Sequence, residues 1–306
     1  VRTRRIIAAL VVAGALLAGC GTGPNRVDSA AVVGETSIPL DDAQAAISSV
    51  LTRPGLVEGL TSQGGSQADI GRAIVSQLVI RDLLDRLPAE QTGSVTEQQV
   101  QEQIDRAGGE QAVVAGSLSV GGPQASARDD LQLAGLARSE LDRLSVTADI
   151  AVAQTREEAE QLAREIAAGG ARADSALAGA GTAQRDLAIR PAETPQAALT
   201  PLIGLPAGQV AAFPLGTGQG WVVVRVTDRR LGEPVPGASA TAGLDQQTLA
   251  EAGVRLLTPT ALDAGVELNP RYGVWDPVRM VAAPTAADAS LVLPVAGATP
   301  APAATP

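Results

Sequence analysis

The chain of 306 residues carries a formal net charge of −10. It is 45% hydrophobic but only 1% aromatic, so its core must be built from Ala, Val, Leu and Ile. It has no His and no Lys, and its single Cys is Cys20. Those absences exclude a Ser-His-Asp or Cys-His triad, a Ser-Lys dyad, a lysine-bearing P-loop and a His/Cys zinc site, and the acidic balance argues against nucleic acid as a partner.

The first twenty residues, VRTRRIIAALVVAGALLAGC, have the layout of a signal peptide: Arg2, Arg4 and Arg5, an apolar run over 6–17, then small residues. The run is too short to span a bilayer comfortably, and it ends in Leu17-Ala18-Gly19-Cys20, which matches the bacterial lipobox. The expectation is a leader at 1–19, an acylated Cys20 as first mature residue, a polar tether at 20–28, and a protein held by lipid on the outer face of the cytoplasmic membrane. The plain alternative for Cys20 is a small buried thiol. Loss of the leader removes three Arg and no acid, taking the charge from −10 to −13.

Residues 29–145 read as a helical module. AAVVGETSIP forms a brief strand and turn, and Pro39 opens a helix with Leu40, Ala43, Ile47, Val50 and Leu51 on one face. Ser66 and Asp69 make a capping pattern ahead of a helix over 67–87, whose wide apolar arc predicts a central, buried element. Thr96 with Gln99 starts another helix that stops at Gly108-Gly109, and a fourth is expected over 127–144. The acidic pairs Asp41-Asp42 and Asp129-Asp130 fall where these helices should begin, a favourable place relative to the helix dipole. Paired carboxylates also serve glycosidases, but the aromatic sugar platforms such enzymes use are missing.

The texture changes at residue 146. VTADIAVA alternates as a half-buried strand, Thr155 and Glu158 cap the helix TREEAEQLAREIAAGG, and a Gly/Ala/Pro-rich stretch follows. LPAGQVAAFPL and WVVVRVTDRR read as a hairpin closed by Gly216-Thr217-Gly218-Gln219-Gly220. A strand follows that glycine run, whereas a dinucleotide loop would open a helix. Residues 146–231 thus form a small α+β unit, 232–242 a linker, and 243–280 a helix and an extended segment containing NPRYGVWDP. The Ala/Pro-rich end, 281–306, is expected to be disordered.

This order resembles the SurA- and PrsA-type extracytoplasmic chaperones, in which a helical module carries an inserted parvulin-type prolyl isomerase domain. AAVVGETSIPLDDAQAAI is similar to the opening of the helical module, VTADIAVAQTREEAEQLAREI to the first strand and helix of parvulins, and LPAGQVAAFPLGTGQGWVVVRVTDRR to their closing hairpin. The resemblance implies an α+β fold: a SurA-like helical module, a parvulin-like insertion, and a C-terminal segment that returns to the module. Where parvulins present two His, this chain has Asp149 and Val222, and the nearest remnant of their central loop is Arg185-Asp186-Leu187-Ala188. The insertion therefore reads as a degenerate domain kept for binding or spacing.

The function so implied is the non-catalytic holding of unfolded or newly exported polypeptides in a cleft between the module and the insertion, with no cofactor and no metal. A residual prolyl isomerase is the alternative, followed by a solute-binding or structural envelope lipoprotein. The four aromatic residues are the candidate peptide contacts: Phe213, Trp221, Tyr272 and Trp275. Phe213 and Trp221 equally suit the core of a small domain. Tyr272 and Trp275, three residues apart, would face opposite ways in a regular strand, and a bend at Gly273 would bring them together, either as a strap sealing the module or as a peptide-binding lip.

Overall fold

A computed structural model describes residues 28–216 and 219–297. The expected leader, Cys20 and all of the tether but Asp28 lie outside the described residues, as do Thr217, Gly218 and residues 298–306.

The chain opens with β1 (Ser29–Val33), buried along its whole length, and β2 (Thr36–Pro39), joined by a turn at Gly34 with φ +56°. Helices α1 (Leu40–Leu51) and α2 (Pro54–Ser62) follow, the first with Asp41 and Asp42 in its first turn. Helix α3 (Gln67–Asp85) starts from a reciprocal Ser66–Asp69 capping box and buries Ile70, Ile74, Val75, Val79, Leu83 and Leu84. Then come α4 (Ala89–Thr92), α5 (Glu97–Arg106) behind a Thr96–Gln99 capping box, α6 (Glu110–Gly116) and α7 (Pro123–Glu140).

Helix α7 corrects the expectation of a helix over 127–144. Pro123, whose missing N–H costs nothing in a first turn, starts it earlier, and Leu144 opens the next strand. Asp129 and Asp130 are consequently beyond the first turn. Asp129 instead forms an ion pair with Arg81 of α3 at 2.6 Å. Burial raises its carboxyl above the ordinary range even against that partner.

The next elements are β3 (Leu144–Ala153), α8 (Arg156–Ala167) behind a Thr155–Glu158 capping box, α9 (Gly170–Gly179), β4 (Gln184–Ile189), two 3-10 turns within 195–204, β5 (Gln209–Pro214) and β6 (Trp221–Leu231). Helix α9 occupies the start of the Gly/Ala/Pro-rich stretch. The hairpin between β5 and β6 is closed by Leu215 N–H donating to Gly220 O at 3.0 Å. After residues 232–243, α10 (Gln246–Leu256), capped by Asp245, and α11 (Thr258–Ala264) lead to β7 (Val266–Leu268), a 3-10 turn at Pro270–Tyr272, β8 (Val274–Asp276), β9 (Val281–Ala283) and β10 (Leu291–Pro294). The fold is α+β.

Three sheets organise the described residues: β2-β1-β7, β10-β5-β6-β3-β4, and the pair β8-β9. In the first, Ala31, Val32 and Val33 lie opposite Leu268, Glu267 and Val266, so a strand that follows the parvulin-like unit closes the sheet begun before it. Helix α10 lies so close to α7 that a Cβ on Gly253 would come within 2.1 Å of Leu133 O. One aliphatic core runs from Ala31 and Val33 through Leu83 and Leu136 to Val224 and Phe213 of the five-stranded sheet, and takes in Leu249 and Leu257. Residues 232–243 are bound to this body: Ala240 is fully buried, and Asp142 accepts hydrogen bonds from Ser239 Oγ, Ala240 N–H, and the N–H and Oγ1 of Thr241.

The expectation of a disordered tail from residue 281 is corrected by β9 and β10. Val281–Ala283 pair with β8, and Leu291–Pro294 add to the free side of β5. Ala/Pro-rich composition argues for disorder only when no partner supplies burial, and here two strand edges do.

Candidate functional site

In the five-stranded sheet, residues directly opposite each other share a face, and successive residues alternate. Asp149 lies opposite Arg225 and Val152 opposite Val222. Since positions 149 and 152 differ by an odd number, Asp149 and Val222 are on opposite faces and are not brought together. Val222 belongs to the large core with Phe213, Val224 and Val226. On that face the same core takes in Ala197, Ala198 and Ile203 of the two 3-10 turns and Leu205 just after them, and α10 packs on those turns.

Asp149 is on the side of Val223, Val210 and Ala212, which pack beneath Ala159, Ala163 and Ile166 of α8 and Ala173 and Leu177 of α9. Its side chain is 1% exposed, and Arg225 Nη2 approaches its Oδ2 to 2.5 Å. Its Oδ1 accepts the N–H of Asp186 at 2.9 Å, holding that residue at φ +52°. Both carboxylate oxygens are therefore committed to structure. Asp149 was visible in the sequence; Arg225 was not singled out, although a lone charge inside WVVVRV is the signal that a buried partner waits for it. Among the described residues no group of three or more acidic side chains is placed to hold a metal ion, and no helix is long and apolar enough to cross a membrane.

The four aromatic residues divide into two pairs. Phe213 and Tyr272 are buried in the large core, Tyr272 beside Gly71 of α3, so neither offers a ring to solvent. Trp221 and Trp275 are partly exposed. The Arg156 guanidinium sits over the Trp221 ring, 5.4 Å from its centroid, while also bonding Glu160. Trp275 packs against the same core as Tyr272, with its Nε1 buried and without an acceptor among the described residues. The bend is real: Gly273 has φ +91°, and a Cβ there would lie 2.0 Å from Ala283 O, so only glycine fits. Arg271 is exposed and forms no ion pair or ring contact among the described residues.

Two residues that sequence reasoning passed over hold this region. Asp276, fully buried, accepts the N–H groups of Val278 and Arg279 at 3.0 Å and both the N–H and Oγ of Ser290 at 2.9 Å. Ser76 Oγ on α3 accepts the N–H of Ala282 at 2.8 Å. An Asp-Pro step after an extended run is a turn signal that pointed to Asp276. Nothing local pointed to Ser76.

At the junction of module and insertion, where the sequence predicts a cleft, one continuous core joins the two. Two open spaces lie on either side of it in the chain. A cleft of about 510 Å³ within the helical module is lined by Arg53, Leu56, Glu110, Val114, Ala115 and Pro123 among others. A groove of about 580 Å³ runs between α8 and α9, beside Glu158, Leu162, Glu165, Arg172 and Ala176.

An antiparallel sheet with two helices on one face, sharing a continuous core with a helical body, is an α+β arrangement. Residues 139–241 match the family model described as the PPIC-type PPIase domain, so about a third of the chain is a parvulin-like domain, with bounds that take in the end of α7 and most of the Asp142-bound segment. Comparisons with curated proteins and with solved structures return no match.

Proposed function

We propose that this protein holds unfolded or newly exported polypeptides without catalysing their isomerisation, as a lipid-anchored, SurA/PrsA-like chaperone on the outer face of the cytoplasmic membrane. The parvulin-like domain supports a foldase or chaperone class. The observation that carries the non-catalytic reading is the commitment of both sheet faces: Asp149 is bound to Arg225 and Asp186, while Val222 is sealed in the core. A chain with no His cannot rebuild the usual network in their place. The apolar cleft between α2, α6 and the start of α7 supports peptide contact, with Arg53 kept rigid by bonds to the carbonyls of Val114, Ser117 and Leu118. Anchoring through Cys20 rests on the lipobox alone.

The chain from residue 20 is expected to delay aggregation of a chemically denatured client and to leave a proline peptide isomerising at its uncatalysed rate. Failure to delay aggregation, together with no binding of unfolded peptide, defeats the proposal. A rate above background favours the residual isomerase, the reading that the domain match itself keeps open.

A further inference from the structure

We propose that the outer edge of β5 is a docking groove for an extended aliphatic segment of a client polypeptide, and that the chain's own strand β10 occupies it until displaced. The proposal deepens the client-holding reading and rests on it.

Strand β10 is the last of the five-stranded sheet and touches it only through β5. Leu291, Val292, Leu293 and Pro294 lie opposite Ala212, Ala211, Val210 and Gln209; Val295 N–H to Gly208 O at 2.8 Å prolongs the ladder, and Ala296 N–H to Ala167 O at 2.7 Å ties the tail to the end of α8. Its side chains alternate as a bound peptide's would. Leu291, Leu293 and Val295 pack on the α8 side against the cluster of Ile166, Val210 and Ala212, while Val292 packs on the other. This is strand addition in cis: main-chain bonds supply affinity, and alternate apolar pockets supply selectivity.

Burial separates β10 from the segment before it. Val278, Met280, Ala282 and Ala283 are core, whereas not one side chain from Ser290 to Gly297 is fully buried. A strand whose side chains all keep some contact with water costs less to peel away than the buried segment before it. What it would uncover is the opposite kind of surface: Val210, Ala211 and Ala212 are fully buried, and their unpaired backbone groups would form a flat aliphatic edge.

The other edge of the sheet is not equivalent. Strand β4 is interrupted opposite Asp149, carries Arg185 and Asp186, and holds Asp186 in the left-handed region. A charged, bulged edge repels a further strand. The tail also has a fixed hinge, because Asp276 grips Ser290 directly before β10. A tethered strand competes at an effective concentration on the order of millimolar, so the intact protein binds clients weakly and reversibly.

The test uses the full chain from residue 20 with Cys20→Ser, and a fluorescent peptide ASLVLPVAG, the sequence of 289–297, with ASDVDPVAG as its charged control. A tail-weakened chain carries Leu291→Asn and Leu293→Asn. A tail-locked chain carries Ala211→Cys and Val292→Cys, which stand opposite each other, oxidised to a disulfide. Expected is at least tenfold tighter peptide binding to the weakened chain than to the unmodified one, no binding to the locked chain, and recovery on reduction. The control peptide should bind none of them. Equal peptide binding by locked and reduced chains, or no gain in the weakened chain, overturns the proposal. Client holding that is identical in locked and reduced chains overturns it too, yet leaves the client-holding reading intact. Peptide binding as expected with no form delaying aggregation leaves an aliphatic-strand site standing while the client-holding reading falls.

Discussion

Asp149 and Arg225 face each other across the ladder of β3 and β6, with Arg225 Nη2 2.5 Å from Asp149 Oδ2 on the face of the sheet roofed by α8 and α9. Where the family resemblance anticipates a catalytic His, the chain has an acid that holds its own sheet together. Breaking one partner of a buried pair strands the other charge, at a cost of about 3–5 kcal/mol. Asp149→Asn should therefore lower stability in urea unfolding by about 3 kcal/mol, the lower end because Arg225 keeps some solvent contact. The double change Asp149→Leu with Arg225→Met should recover most of the loss. A single variant as stable as the parent sinks this account.

Trp275 separates sealing from client contact. Its indole packs on the core, and its N–H has no acceptor. Trp275→Phe should leave stability within about 1 kcal/mol, since the ring stays and the unsatisfied donor goes. Trp275→Ala should cost about 2–3 kcal/mol, less than a fully buried tryptophan would. If aggregation suppression falls in Trp275→Ala while the melting curve stays put, the segment is a lip and the sealing role is wrong.

Asp142 makes part of the stability depend on acid. Burial by itself would raise its carboxyl, but the hydrogen bonds from Ser239, Thr241 and Ala240 outweigh it and hold the group below the ordinary range. A folded value below the unfolded one of about 3.9 means that the contribution is complete above that value and is lost as pH falls through the folded one. Asp142→Asn should thus be less stable by about 1–2 kcal/mol at pH 7 and indistinguishable from the parent at the bottom of the acid titration. Parallel acid-unfolding curves with a constant offset would contradict it.

Local signals in the sequence were legible, and distant ones were not. The capping boxes at Ser66, Thr96 and Thr155 were readable because both partners lie within one helical turn. The need for a bend at Gly273 was readable because few other residues tolerate such a conformation. Leu144 was taken into a helix because its spacing from Leu141 fits a helical face, and both residues are buried whichever element holds them. The order in the tail is not legible from composition, because the partner of Val292 is Ala211, far back in the chain. The same holds for the site. Asp149 stood out by resemblance, but which face it takes, and that Arg225 meets it there, depends on strand register.

The sheet that joins β1 to β7 sets an order of events in time. Asn269 Nδ2 donates to Ser29 O across 240 residues, beside the ladder that closes the first strand. Synthesis delivers β1 well before its partner, while the parvulin-like sheet can pair β3, β4, β5 and β6 in between. Until residue 256 arrives α7 lacks the α10 surface that meets it at Gly253, and until residue 268 arrives β1 has one open edge. A protein proposed to shelter unfinished chains is thus, for most of its own synthesis, an unfinished chain with an aliphatic edge in need of shelter.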